Sequence, residues 1–275
     1  MASMGDIIFW SMIVLIVAFS AIIILFLALS FSTSSSSNIE SDNRFPVANL
    51  GEEVLLSCQL TPAETPQVMG DVAVAWTKAN LSGVVYKYKD GAPQLADQNP
   101  QFSRRTSVFP NAVARGNGSL LMAAVRRGDD GVYTCSIDAD TGAGSVDIHL
   151  RTAVYSTLTF SVSGGTLTAA ASRWQPQPGV TWLASNGTAL HGITQFSRKP
   201  SGVYSFVSTL KQVGVDDVYT FRVQSPLVTG TSKVTITGSG VEVETRFSFS
   251  AGPSLSPSQC LVPLASLLIY AFGAT

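Results

Sequence analysis

The chain has 275 residues, 13% of them charged, and a formal net charge of −1 at pH 7. This length allows one or two domains, and the near-neutral charge without a basic stripe argues against a nucleic-acid partner. No H-E-x-x-H, P-loop or G-x-S-x-G run occurs, and His149 and His191 stand far apart. No catalytic residue, metal ligand, cofactor or small-molecule substrate is therefore expected.

Residues 7–31 are almost wholly apolar and lead into the polar run Thr33–Ser37. Small residues at Ala28, Ser30 and Ser32 offer cleavage sites of the A-x-A type, so residues 1–32 read as a secretory signal peptide. The run is long and no Lys or Arg precedes it, which leaves an uncleaved signal anchor as the other reading. Residues 33–44 read as a polar linker.

Short runs separated by Gly, Pro, Asn and Asp follow, a pattern of strands and turns. The predicted strands are 53–58, 72–76, 84–89, 106–109, 119–122, one carrying Cys135, and 144–150. Trp76 lies 18 positions after Cys58, and Asp129-Asp130-Gly131-Val132-Tyr133-Thr134-Cys135 reads D-x-G-x-Y-x-C. This is the spacing of an immunoglobulin variable-type sandwich, here over residues 45–151. In such a domain Cys58 and Cys135 bridge the two sheets and Trp76 packs on the bridge. Tyr133 points inward one pleat from Cys135, with its hydroxyl reaching back to the backbone. The likeness also implies a bidentate pair between Arg105 and Asp129.

Alternation sorts the outer face of this domain. With Tyr133, Cys135, Val146, Ile148 and Leu150 inward, Thr134, Ser136, Asp147 and His149 point outward, and Thr77 flanks Trp76. Together with Tyr86 or Tyr88 as an aromatic anchor, they form a flat face suited to a protein partner. Asn80, Asn117 and Asn186 each begin an N-x-S/T sequon and are candidate N-glycosylation sites, with Asn80 beside that face.

Residues 152–247 read as a second sandwich. The run Arg173 to Trp182, R-W-x-P-x-P-x-V-x-W, resembles the membrane-proximal constant-type domain of the butyrophilin and B-seven costimulatory ligand family. The order of a variable-type and then a constant-type domain is similar to that family too. The resemblance implies core positions for Trp182 and Tyr219 and a second cysteine pair. Ala169 and Phe221 stand where those cysteines belong. A sandwich without its disulfide is expected, with Phe221 packed over Ala169 against Trp182, and it should be the less stable half.

Residues 248–260 read as a stalk and 261–275 as an apolar tail with no basic residue after it. Small residues, a polar spacer and a short apolar tail make a glycosylphosphatidylinositol signal. A short transmembrane segment without a cytoplasmic domain is the alternative. Cys260 is the odd cysteine: inert, or acylated or paired between chains if the tail is kept. The expected fold class is all-β: two tandem immunoglobulin-like sandwiches, variable-type then constant-type, with an apolar N-terminal signal and a C-terminal membrane segment. The resemblance implies a non-enzymatic ligand on the outer face of the plasma membrane. It would bind a protein counter-receptor on T cells and deliver an inhibitory signal. A general adhesion molecule of the same superfamily is the alternative.

Overall fold

A computed structural model describes residues 4–32, 39–60, 71–140 and 142–250. The expectations for Cys260 and for the tail 261–275 lie outside these residues. Helix α1 (Met4–Ser32) carries one charged residue, Asp6, in 29. Phe9, Trp10, Leu15, Phe19, Ile22 and Ile24 are all more than half exposed. A helix that is apolar all round has no polar face to turn to water. Taken over the described side chains alone, no helix is long and apolar enough to cross a membrane.

In chain order the next elements are β1 (Ile39–Glu40), β2 (Val47–Asn49), β3 (Val54–Leu56), β4 (Gln59–Leu60) and β5 (Val72–Lys78). Then come β6 (Tyr86–Lys89), β7 (Ala92–Pro93), β8 (Thr106–Ser107), the short helix α2 (Pro110–Val113) and β9 (Leu120–Met122). The long strands β10 (Gly131–Ala139) and β11 (Gly142–Ala153) close this half. One sheet has the order β2-β11-β10-β5-β6-β7, with β2 parallel to β11; the opposing sheet is β3-β9-β8. β1 pairs with β4 and Ile39 is buried, so residues 39–44 belong to this sandwich and not to a linker.

Alternation drives the packing. β5 reads V-A-V-A-W-T-K, and Val72, Val74 and Trp76 are buried while Thr77 faces out. Cys58 and Cys135 form a disulfide between the sheets. Trp76 lies against this core and its Nε1 donates to the Gly118 carbonyl at 2.8 Å. A Cβ at Gly118 would fall 2.9 Å from Val74 Cγ1, so the close approach of that loop requires glycine.

The second half contains β12 (Thr159–Ser163), β13 (Thr166–Trp174), β14 (Gly179–Ala184), β15 (Ala189–Leu190) and β16 (Ile193–Arg198). It continues with β17 (Tyr204–Lys211), β18 (Val218–Gln224), β19 (Val228–Thr237) and β20 (Gly240–Phe249). The sheets are β12-β13-β17-β16 and β15-β14-β18-β19-β20. They enclose a separate core that contains Ala169, Trp182, Phe206, Tyr219 and Phe221. Phe221 lies 4.6 Å from Trp182, 5.6 Å from Phe160 and 6.1 Å from Phe206 between ring centroids. β12 sets Phe160 directly across from Ala169. The small residue thus lies beside an aromatic cluster.

Polar contacts tie the halves together. Asn49 donates to the Tyr155 carbonyl at 3.0 Å and accepts from the Tyr155 amide at 3.2 Å. Arg127 donates to Gln175 Oε1 at 2.7 Å. Ser248 and Phe249 continue β20, so the stalk does not begin at 248. β20 runs back along β19 and brings Ser250 to the turn at Pro226 and Leu227, where Arg151 also reaches the Ser250 carbonyl.

Candidate interaction face

The lower end of the first sandwich holds its strands in register. Arg105 Nη2 lies 2.8 Å from Asp129 Oδ1 and Nη1 lies 2.8 Å from Asp129 Oδ2, a bidentate pair. Asp129 also accepts from the Arg126 amide at 2.7 Å. Tyr133 donates its hydroxyl to the Asp129 carbonyl at 2.7 Å. Burial, and then the negative Asp129, push the Tyr133 phenol far above its ordinary range. These contacts fix the start of β10 and hence which of its side chains face outward.

Outward from β10 stand Thr134, Ser136 and Asp138. Register places Thr77, Thr134 and Asp147 in one row and Ala75, Ser136 and Ser145 in the next. Thr134 Oγ1 donates to Asp147 Oδ1 at 2.7 Å. His149 faces out and stacks on Phe45 at 5.1 Å between ring centroids. The face is therefore flat, made of short polar groups, with Asp147 and His149 toward one margin.

Tyr86 and Tyr88 do not belong to it, which corrects the expectation of an aromatic anchor. They are 5% and 6% exposed and lie in the core. Tyr86 pairs with Trp76 and Tyr88 with Val74, so they share the inward side of those residues. Burial raises the Tyr86 phenol, and a hydrogen bond with the Val108 backbone draws it partly back. Lys87 and Lys89 take the outward places on β6. Lys87 pairs with Ala75, next to the Ser136 row. The Y-K-Y-K alternation held this information: one of its two residue types had to face out, and lysine is the one that water suits. At the far end, a hollow of about 330 Å³ is lined by Asp71, Lys89, Asp90, Asp138 and Asp140. Among the described residues no group of three or more His, Cys, Asp or Glu side chains is placed to hold a metal ion.

Asn80 and Asn186 fall in turns, and Asn117 pairs with Gln59 in an isolated bridge. Asn80 is exposed at a φ of 59°, two residues past β5 and at the rim of the face. Asn117 and Asn186 each accept an amide hydrogen bond from two residues on, at 3.0 and 2.9 Å.

Residues 42–153 match the immunoglobulin V-set domain family. V-set domain-containing T-cell activation inhibitor 1 of Rattus norvegicus is 30% identical over 264 residues, which cover 92% of this chain and 92% of the rat protein. The chain belongs to the V-set domain-containing T-cell activation inhibitor family. The Homo sapiens member is 28% identical over 285 residues, covering 98% of this chain and 99% of its own. The solved IgV-like domain of human B7-H4 is 30% identical over 42% of this chain and 96% of that one, with a TM-score of 0.38.

Within this family likeness, the D-x-G-x-Y-x-C run supplies the ion pair, the tyrosine hydrogen bond and the disulfide described above. In the second half, Tyr219 donates to the Asp217 side chain at 2.9 Å. Two residues there carry no sequence signature. Ser208, fully buried on β17, accepts from Trp182 Nε1 at 2.9 Å and bonds Thr194 at 2.8 Å. Gly192 abuts the Trp182 ring so closely that a Cβ would lie 2.3 Å from Cδ1. Ser208 reaches Trp182 from the other sheet, and Gly192 lies two residues past Leu190, which pairs with Trp182.

Proposed function

We propose that this chain is a cell-surface ligand that presents the outer face of β10, β11 and β5 to a protein counter-receptor on T cells and lowers their activation. The observation that carries this reading is the kinship with a T-cell activation inhibitor over 92% of the chain. The face supports it physically: it is flat, faces away from the core and mixes short hydroxyls with Lys87, Asp138 and Asp147. With no aromatic anchor, recognition rests on patterned charge and hydrogen bonding, which govern specificity and on-rate.

In this reading residues 152–247 form a constant-type immunoglobulin domain without its disulfide, acting as a spacer. The apolar segment 1–32, as signal or anchor, and the tail 261–275, as lipid-anchor signal or span, place residues 39–250 outside the cell. Asn80, Asn117 and Asn186 carry N-linked sugars, and the one on Asn80 limits access to the face from its rim.

The test uses cells that display the full chain, cultured with stimulated T cells. Proliferation should fall relative to cells lacking it, and Asp147→Lys should relieve most of that fall at equal surface level. Unchanged proliferation with verified display would overturn the reading. Aggregation between displaying cells without T cells would favour adhesion instead.

A further inference from the structure

We propose that Asn117 accepts its N-linked sugar only while the first sandwich is open, so that closure of that domain fixes which molecules carry it. The proposal rests on the reading of Asn117 as an acceptor given above. It starts from the way the three sequon residues are built into the fold. Ser119 is 4% exposed, and its Oγ accepts from the Cys58 amide at 3.1 Å. The Gly118 amide donates to the Cys58 carbonyl at 2.9 Å. Asn117 donates its amide to the Ala112 carbonyl at 3.0 Å and pairs with Gln59. The sequon thus holds both backbone polar groups of a cysteine that forms the bridge between the sheets.

The chemistry of transfer makes that placement matter. Nδ2 of the asparagine bonds to C1 of the sugar, and the C1–O bond to the pyrophosphate of a lipid carrier breaks. The pyrophosphate leaves with that electron pair, and Nδ2 gives up one proton. The transferase recognises its acceptor through the hydroxyl two residues on. Amide and hydroxyl must therefore be reachable together. In the closed domain the Ser119 hydroxyl lies in the core. Drawing it out leaves the Cys58 N–H without its partner, and moves Gly118 away from the Cys58 carbonyl and the Trp76 indole. Exposing this sequon is an opening of the core and not a loop motion, and such openings lie at the costly end of local unfolding.

The other two sequons supply the contrast. Asn80 and Ser82 are both exposed, as are Asn186 and Thr188. The Thr188 amide donates to Asn186 Oδ1 at 2.9 Å, just as the Ser119 amide donates to Asn117 Oδ1 at 3.0 Å. That local bond is shared, so burial of the hydroxyl is what sets Asn117 apart. Folding leaves Asn80 and Asn186 reachable and withdraws Asn117.

Timing gives the difference a consequence. Cys135 lies 18 residues after Asn117, and β11 ends 36 residues after it. At a synthesis rate of about 5–20 residues per second, these segments take about 1–4 s and about 2–7 s to appear. Disulfides form over seconds or longer. Transfer to Asn117 therefore has a window that opens for seconds and shuts with the domain. A molecule that closes first keeps a bare Asn117. Slower bridging, as under reducing conditions, lengthens the window.

The experiment takes the full-length chain made with sugar-donor synthesis blocked, so that all three sites are bare. It is purified in detergent with the Cys58–Cys135 bridge intact. Oligosaccharyltransferase and a lipid-linked oligosaccharide are added, and each asparagine is followed by mass spectrometry. A second sample is reduced and alkylated. Cys58 and Cys135 are fully buried in the closed domain, so adducts on them hold it open. No cysteine lies in the second sandwich, which makes Asn186 the internal reference. In the bridged chain Asn117 should react at less than one fifth of the Asn186 rate, with Asn80 faster than Asn117. Alkylation should raise the ratio of Asn117 to Asn186 at least fivefold. A ratio of one fifth or more in the bridged chain, a smaller rise on alkylation, or an Asn80 as slow as Asn117 would each overturn the proposal. An Asn117 that stays bare even in the alkylated chain removes the acceptor reading itself, and the proposal with it.

Discussion

Arg105 and Asp129 are 8% and 2% exposed, so neither can lose its partner without leaving a charge stranded in the core. Arg105 also donates to the carbonyls of Gln101 and Ala124, at 3.0 and 2.8 Å. Four of its five N–H groups are thereby used. Asp129→Ala should cost about 3–5 kcal/mol in denaturant unfolding of the first sandwich, because the guanidinium stays buried alone. Arg105→Lys should not rescue the geometry, since a single ammonium cannot make the paired contact. Tyr133 adds a pH signature. Its phenol is raised in the folded state by burial and by Asp129. The folded protein then holds that proton more tightly than the unfolded chain. The contribution is fully present below the unfolded value of about 10 and is lost as pH climbs above it. Stability should therefore fall at alkaline pH, and Tyr133→Phe should flatten that fall while costing about 1–2 kcal/mol at neutral pH. A slope unchanged by the substitution would mean that other tyrosines carry it.

At the scale of elements, the second core rests on packing without a cysteine. Phe221 and Phe160 pack on Trp182, Phe206 packs on Phe221, and Ser208 satisfies the indole nitrogen. Gly192 leaves the room for that ring. Gly192→Ala should push Trp182 off its place and destabilise the domain by about 1–3 kcal/mol. Ser208→Ala should cost a similar amount by stranding the buried Nε1 hydrogen. Both would appear as a lower midpoint for the second sandwich alone, with the Trp182 fluorescence altered before unfolding in the glycine variant. These two residues also mark the limit of what the sequence made legible. Cys58, Trp76 and Tyr133 announce themselves because their spacing is fixed along the chain by strand lengths and turns. Ala169 and Phe221 could be placed because the family resemblance sets cysteines upstream of Trp182 and just after Tyr219. Gly192 meets Trp182 from the loop after β15, and Ser208 from the opposing sheet, and sequence periodicity predicts neither contact. Tyr86 and Tyr88 were legible and misassigned: in Y-K-Y-K one residue type must face out, and lysine suits water, as the register with Trp76 and Val74 bears out.

Across the whole molecule, the two cores are covalently unequal. The first contains the disulfide, whose cysteines lie 77 positions apart. In the chain-entropy view, closing a loop of that size restrains the unfolded chain by about 4–5 kcal/mol. No cysteine lies between 136 and 259, so the second core has only its packing. The junction works against independence. Asn49, Arg127 and Gln175 bridge the halves, and Glu52 lies 3.6 Å from Arg173. Each of these contacts is small or exposed, and exposed ion pairs contribute about 0–1 kcal/mol. They set the angle between the sandwiches more than they merge the two cores. Calorimetry of the full chain in detergent should therefore show two transitions, the lower belonging to the second sandwich. A reductant should move the upper one down by roughly 15–20 °C and leave the lower one in place. If reduction shifts both together, the junction couples the halves into one cooperative unit. If the transition insensitive to reductant is the higher one, aromatic packing around Phe221 has done more than replace the missing bridge.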